Sequence, residues 1–476
     1  MMHSMNRKAN WFQSILGIFL HSVGTPQKVI SALSRMGVCI GQTTIYDAVN
    51  SLSDNAADGI RDLGQTLLAA YAYDNFDVGL KQSVPIIEKS NQSLKHLTSG
   101  LLFLLQHGAT KEDLACSDYL WQRSKLNSKN SQMATGMKTY RDLPQLFYGP
   151  GNALPSHSSF NTWIFLRDLI QHVDGFEYLQ GQLKIPELLE AIPVEKTEII
   201  PAYAMDVNNS TVNGNIRAIE QLMAQGGIGS PDDKDTVDIS KYIALVHGDL
   251  GTGKRIKSLM NRRAIEDRAW EHFQYVKFCP GLFHTKMACV DVLWRIFIKD
   301  VLGKEDETSL MKDIGVIRAK QTGTIKSKCE FRHMHQVIQH VGAIRRLDCW
   351  RIAVQKLLPS FTSLEEFAKS KPKLDELKTM AEKVVSEFVA NHNISRARLN
   401  PEAKRDQQFE NAALMQQYFL LYEELTFAMN HGDITRLEKV LLPWIQLFKA
   451  TGKHVYATEM TEFLLDTHFM CPDRLR

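Results

Sequence analysis

The sequence predicts an α/β core followed by a mostly helical part, and three observations carry that prediction. Apolar runs of strand length, residues 66–73 and 242–247, are separated by stretches with helical three-to-four spacing. Three strand-like runs reach an aspartate at or near their ends: Asp74, Asp206 and Asp249. From His284 to the C-terminus the helical spacing is almost uninterrupted. Strands alternating with helices and then a run of helices read as an α/β sheet with a helical extension.

The elements follow in order. In residues 10–60, Trp11, Ile15, Leu16, Phe19 and Leu20 keep the spacing of one buried helix face. Thr25-Pro26-Gln27 reads as a helix start with proline in the first turn, and Val29, Ile30, Leu33 and Met36 continue a face that Gly37 ends. A further helix opens at Gly41-Gln42-Thr43-Thr44, with Ile45, Val49 and Leu52 inward. Helix, glycine turn and polar helix start resemble a helix-turn-helix, in which Gln42, Thr43, Thr44 and Tyr46 would face DNA; a helical hairpin that merely packs is the plainer alternative.

Residues 66–73 read as a buried strand ending in Asp74-Asn75-Phe76-Asp77, and residues 93–106 as a strand pair kinked at Ser99-Gly100. Residues 110–195 are mixed, with a Gly/Pro/Ser-rich loop at 148–159. Residues 198–207 read as a strand, 213–225 as an amphipathic helix, 242–247 as the clearest strand, 255–271 as a basic helix and 273–278 as a short strand. The organisation is therefore a helical region over 1–62, an α/β core over 63–299 with a loop-rich insertion near 110–195, and a helical region over 300–476 whose final helix returns to the core.

Composition narrows the function. The 476 residues suit two to four domains, and 56 Lys+Arg against 53 Asp+Glu leave a formal charge of +3. That excludes a globally basic binder but permits a local basic face. The longest apolar runs, residues 15–20 and 101–105, fall far short of the roughly 20 residues of a membrane span, so no membrane partner is expected. Gln13-Ser14 interrupts the short apolar stretch after Arg7 and Lys8, which argues against a signal peptide and secretion. Seven scattered cysteines without a C-x-x-C pair point to a reducing compartment, nuclear or cytoplasmic.

Two motifs compete at residues 248–254. Gly248-Asp249-Leu250-Gly251-Thr252-Gly253-Lys254 has the G-x-x-x-x-G-K spacing of a phosphate loop, but Arg255 stands where the metal-binding Ser or Thr belongs. The rival reading takes Asp74 or Asp77 together with Asp249 as carboxylates converging from strand ends. Such a group needs cations to neutralise it and suits Mg²⁺ or Mn²⁺. The plainer reading of Asp74 and Asp77 is that they cap a turn. Arg255, Lys257, Arg262 and Arg263 form a basic stretch suited to DNA phosphates. His284 and Lys286, in the first turn of a helix after Pro280-Gly281, would orient a phosphate or the attacking group. Glu459 lies beside the apolar face of the last helix, and Glu423, Glu424 and Glu438 are its rivals for a late carboxylate. His333, His335 and His340 lack metal-ligand spacing and read as part of a basic helix.

In combination, residues 31–52, 63–66, 72–77, 247–252, 280–287 and 453–459 resemble a fungal family, the domain of unknown function numbered 6589, abundant in mushroom-forming fungi. The resemblance covers about residues 11–465. That family looks related to cut-and-paste transposases of the RNase H fold. The resemblance implies an RNase H-like mixed sheet, with the first Asp at the end of the first strand, the second at the end of the fourth, and a Glu on a late helix behind a helical insertion. On this chain they correspond to Asp74 (with Asp77 as rival), Asp249 and Glu459, holding Mg²⁺ or Mn²⁺; the helical stretch of about 300–444 corresponds to the insertion. The implied function is a metal-dependent DNA strand-cleaving or strand-transferring transposase or its inactive descendant, with DNA as partner, a nuclear location and a homo-oligomer as a possible state. The alternatives are a non-catalytic DNA-binding or scaffold protein and, third, a P-loop ATPase.

Overall fold

Alternation of helical and strand-length apolar runs becomes, in a computed structural model of the chain, a mixed sheet and many helices. It describes residues 10–79, 94–127, 138–148, 155–299, 306–391, 394, 396 and 398–476. The elements used below are α1 (Trp11–Ser22), α2 (Gln27–Arg35), α3 (Gln42–Gln65), β1 (Ala69–Gly79), β2 (Leu94–Leu104), α4 (Ser117–Arg123), α5 (Leu143–Tyr148), α6 (Pro155–His172), β3 (Ile199–Pro201), α7 (Val212–Gln225), β4 (Ile228–Gly229) and β5 (Val237–Asp238). They continue with β6 (Ala244–Gly248), α8 (Leu250–Arg263), β7 (Val276–Pro280), α9 (Leu282–Phe297), α10 (Leu310–Ile317), α11 (Phe331–Leu357), α12 (Leu364–Lys369), α13 (Leu374–Phe388), α14 (Gln407–His431), α15 (Ile434–Ala450) and α16 (His454–Leu465). The chain divides into two units. One comprises residues 1–133, 196–279 and 472–475, and the other 134–195, 280–471 and 476.

The first unit is built on a five-stranded sheet of order β3-β2-β1-β6-β7. β1 and β2 pair antiparallel over eleven residues, from Ala69↔Leu104 to Gly79↔Leu94. β2 pairs antiparallel with β3, and β1 pairs parallel with β6 through Tyr71↔Val246 and Ala72↔His247. Alternation along β1 sends Tyr71 and Tyr73 to one face, where they pack with Ile60 of α3, Ile219 and Leu222 of α7, and Ile256 and Leu259 of α8. β4 and β5 form a separate parallel pair.

Several expectations change in register or extent. The face of α1 expected to be buried is largely exposed: Trp11 is 75%, Ile15 51% and Phe19 57% accessible. The small core of Ile30, Cys39, Ile40 and Ile45 admits only Leu16 and Leu20 from α1. Gly17 sits against it so closely that a Cβ would lie 2.8 Å from Ile40 Cγ1, so the contact turns on the glycine rather than on the aromatic stripe. Val29, Met36 and Leu52 are exposed as well. Residues 94–104 form one unbroken strand, and Gly100 marks close packing, with a Cβ there 2.8 Å from Leu222. The strand expected over 198–207 shrinks to β3 and one bridge between Thr98 and Met205, because Pro201 has no N–H to continue the ladder. The basic helix starts earlier and ends sooner than expected, at Leu250 and Arg263. Of the loop expected over 148–159, Tyr148 and residues 155–159 are helical, while 149–154 lie outside the described residues, as do Arg7 and Lys8.

The second unit is helical. Phe160, Phe165 and Leu169 of α6 pack with Trp350 of α11, Phe367 of α12, Leu377 and Val384 of α13, and Leu420 and Phe427 of α14. A chain of buried ions crosses this packing. Arg346 is fully buried, and its Nε donates to Asp168 at 2.6 Å while its Nη2 donates to Glu423 at 3.0 Å. Arg436 bonds Glu424 at 3.0 Å and Asp433 at 2.9 Å, and His157 also contacts Glu424. Among the described residues no helix is long and apolar enough to cross a membrane.

Three outcomes follow. Gly64→Ala brings a Cβ to 2.2 Å from the Gly226 carbonyl oxygen, and an overpacked backbone contact of this kind costs about 1–3 kcal/mol, readable in a urea melt. Asp168→Ala strands the Arg346 charge and lowers stability by about 3–5 kcal/mol, against a near-neutral surface control such as Lys378→Ala. Burial pushes the Asp433 carboxyl up, but hydrogen bonds from Leu189, Arg436 and Glu190 outweigh it and hold the group below its usual range. A depressed carboxyl contributes stability above its unfolded pKa and loses it as pH falls through the folded one. Melting temperature should therefore fall with acidification below the ordinary aspartate range, and Asp433→Asn should flatten that limb.

Candidate functional site

The sheet's strand order reverses between β1 and β6. The chain runs outward through β2 and β3, then returns to the other side of β1 to lay down β6. In open α/β sheets the crevice at such a switch point, beyond the carboxyl ends of the strands, is where ligands bind. Continuing the parallel register by two residues sets Asp74 alongside Asp249, on strands spaced by roughly 4.8 Å. Asp249 is the first residue after β6, and its backbone is still extended (φ −74°, ψ 168°) before α8 begins.

Each carboxylate has a local partner. Asp74 is exposed midway along β1, and its Oδ1 accepts from the Asn75 N–H at 2.8 Å. Asp249 Oδ1 accepts from the Thr252 N–H at 2.6 Å, capping α8. A capping carboxylate thereby occupies the helix start that a phosphate loop would offer to a nucleotide. Gly253 is equally committed: a Cβ there would lie 2.4 Å from the Phe278 ring, so this glycine serves helix-on-strand packing. Asp77 lies three residues from Asp74, so strand alternation turns it to the opposite face, and it pairs with His96 at 2.6 Å.

The basic residues of α8 divide by role. Arg255 Nε donates to the Ser210 carbonyl at 3.0 Å, and its guanidinium stands with the Asp249 carboxylate on either side of Gly251. Arg263 pairs with Glu266 at 3.1 Å, Arg262 is exposed, and Lys257 is half-buried. Tyr73 joins this group from β1, donating its hydroxyl to Asn215 Oδ1 at 2.9 Å. Burial holds the phenol well above its ordinary range, opposed by Arg255 and reinforced by Asp249. The strand-length pattern of residues 66–73 does not mark Tyr73 as part of this group. His247 was also missed: it pairs with Ala72 in β6, against the Phe103 ring, and burial pushes its imidazole down.

The other expected site residues belong to the second unit. Glu459 is 7% exposed on α16. Its rivals are held in ion pairs: Glu423 with Arg346, Glu424 with Arg436, and Glu438 with His468. His284 and Lys286 stand in the first turns of α9. Lys286 lies 5.8 Å from the centre of the Tyr422 ring, and burial pushes its ammonium down. His335 bonds the Tyr422 hydroxyl, His333 pairs with Glu330 and His340 faces Arg318. Gln42 donates to the exposed Tyr46 hydroxyl, and Thr43 and Thr44 are exposed at the start of α3. Among the described residues no three His, Cys, Asp or Glu side chains gather closely enough to hold a metal ion. Two carboxylates remain a sufficient protein share for Mg²⁺, which keeps several waters and takes other oxygens from a phosphate substrate.

The sequence model described as "Family of unknown function (DUF6589)" matches residues 143–476. The matched span takes in Asp249, the α8 cations and Glu459, whereas Asp74 and Asp77 precede it. No curated protein and no solved structure matches the chain.

Because Asn caps a helix as well as Asp does, Asp249→Asn should keep the fold, whereas Asp249→Ala should lose about 1 kcal/mol of stability. Equal melting temperatures for Asp249→Ala and the parent would show that the cap contributes nothing.

Proposed function

We propose that this chain, which belongs to the DUF6589 family of unknown function, is a transposase-type DNA-processing protein whose first unit is an RNase H-like core. The observation that carries the reading is the parallel register of β1 with β6, which sets Asp74 beside Asp249 at the switch point of the sheet. The strand count supports it: β1 is the first strand of the main sheet and β6 the fourth in chain order, the places where the resemblance expects the two aspartates.

Asp74 and Asp249 would supply the hard oxygen ligands for Mg²⁺ or Mn²⁺. Such ions, when bound, lower the pKa of an attacking water or terminal hydroxyl and neutralise charge on the departing oxygen of a phosphodiester. Arg255 holds the Asp249 turn by its bond to Ser210, and Tyr73 braces the same turn from beneath through Asn215. Arg262, exposed on α8, and Lys257 would meet DNA phosphates, so affinity should fall with rising salt.

The decisive experiment compares the parent with Asp74→Asn and Asp249→Asn for cleavage or strand transfer on duplex DNA in Mg²⁺. Each variant should lose at least about a hundredfold in rate, an effect of the size seen when one group that stabilises transition-state charge is removed, with melting temperature unchanged. Retained activity in Asp249→Asn would remove the site. DNA binding that is salt-sensitive but indifferent to Mg²⁺ and to both variants would instead establish the non-catalytic DNA-binding alternative.

A further inference from the structure

The second unit contains a cavity of about 660 Å³ lined from α6, α11 and α14, in the size range of sites that take small molecules. Flat rings form part of its wall. Phe427 carries His431 stacked at 4.0 Å, and Trp163 lies 5.6 Å from Phe427. Ala343, Ile344 and Leu347 give an aliphatic side. Within this apolar frame stand one acidic and one basic residue, Glu423 and Arg167, whose formal charges cancel. The lining therefore suits an uncharged ring better than a phosphate.

The polar groups restrict that ring further. Glu423 is 8% exposed, and both its oxygens accept from Arg346 Nη2, at 3.0 and 3.3 Å. An ionised carboxylate has about four acceptor sites, so this one can accept further hydrogen bonds. The Trp163 indole N–H is buried and makes no hydrogen bond, an unmet donor on a residue that lines the cavity. Arg167 stacks over the same indole ring at 5.4 Å.

We propose that this cavity is a guanine-binding site. Guanine presents N1–H and the exocyclic N2–H₂ side by side, a donor pair that a carboxylate accepts together. Its O6 and N7 are acceptors for the Trp163 N–H and for Arg167. Adenine would place its N1 acceptor against the carboxylate, and a pyrimidine would cover less of the aromatic wall. The base could arrive as a free nucleoside or as an unstacked residue of a single strand; both present the same ring. The site lies within the second unit and needs no divalent cation, so it stands or falls separately from the aspartate reading.

Calorimetric titration without divalent cations tests this on the full chain, using guanosine, adenosine and two single-stranded oligonucleotides. One oligonucleotide carries a single central dG and the other is abasic at that position. Guanosine should saturate one site at least tenfold more tightly than adenosine. Trp163→Phe keeps the ring and removes the N–H, and should weaken guanosine about 3- to 10-fold, the worth of one hydrogen bond. Ala343→Leu fills the aliphatic side and should abolish binding with the far-ultraviolet spectrum preserved; if it misfolds, Trp163→Phe alone decides. Preference for the dG oligonucleotide over the abasic one by the same margin identifies a strand as the source, and its absence beside tight guanosine binding identifies the free nucleoside. No saturable binding of guanosine or of the dG strand, equal binding of adenosine, or indifference to Trp163→Phe overturns the proposal.

Discussion

The first unit depends on the parallel pairing of β1 with β6. Antiparallel neighbours can be joined by a hairpin, but a parallel neighbour requires the chain to leave the sheet and return. Here the return comes after β2, β3 and α7, and it places the end of β6 beside the middle of β1. Once two parallel strands share an end, whatever follows each of them is brought together. The residue after β6 is Asp249, and its partner position on β1 is Asp74. The same pairing exposes the start of α8, whose first turn needs an acceptor. Asp249 meets that need, so one side chain lies under a structural demand and a proposed chemical one.

The second unit is organised by a different constraint, the cost of burying charge. Arg346 and Arg436 are among the largest fully buried side chains of the protein. Each is surrounded by carboxylates: Asp168 and Glu423 for the first, Glu424 and Asp433 for the second. Such clusters add little net stability over apolar packing but heavily penalise any arrangement that separates the partners. They therefore fix the relative register of α6, α11, α14 and α15. Gly342 takes part, since a side chain there would collide with the Arg346 guanidinium and the Glu423 carboxylate. The cavity beside Glu423 inherits this rigidity: its carboxylate is held in place before any ligand arrives.

Legibility in the sequence followed the range of the interaction. The helices at 27–35, 212–225 and from 282 onward, and the strands at 69–79 and 244–248, are local patterns of apolar spacing and were readable as such. The burial of α1 was misread because the pattern of large apolar residues pointed one way while a glycine, Gly17, made the contact. Glycine has no side chain to weigh in a periodicity. Asp77 and Asp74 were indistinguishable as sequence neighbours, and strand alternation separates their faces. The role of Arg255 could not be foreseen, since its acceptor is a backbone carbonyl forty-five residues earlier.

What the sequence determined by itself was the kind of fold, the position of its elements and the short set of acidic residues that end or follow strands. These depend on the order of polar and apolar groups along a few turns or pleats, and that order is written in the chain. The tertiary structure alone decided which of those residues became neighbours. It set Asp74 next to Asp249, spent Asp77 on His96, tied Glu423, Glu424 and Glu438 into ion pairs, and hollowed a cavity beside Glu423. Contacts between residues hundreds of positions apart arise from how whole elements pack, and no local pattern encodes that distance.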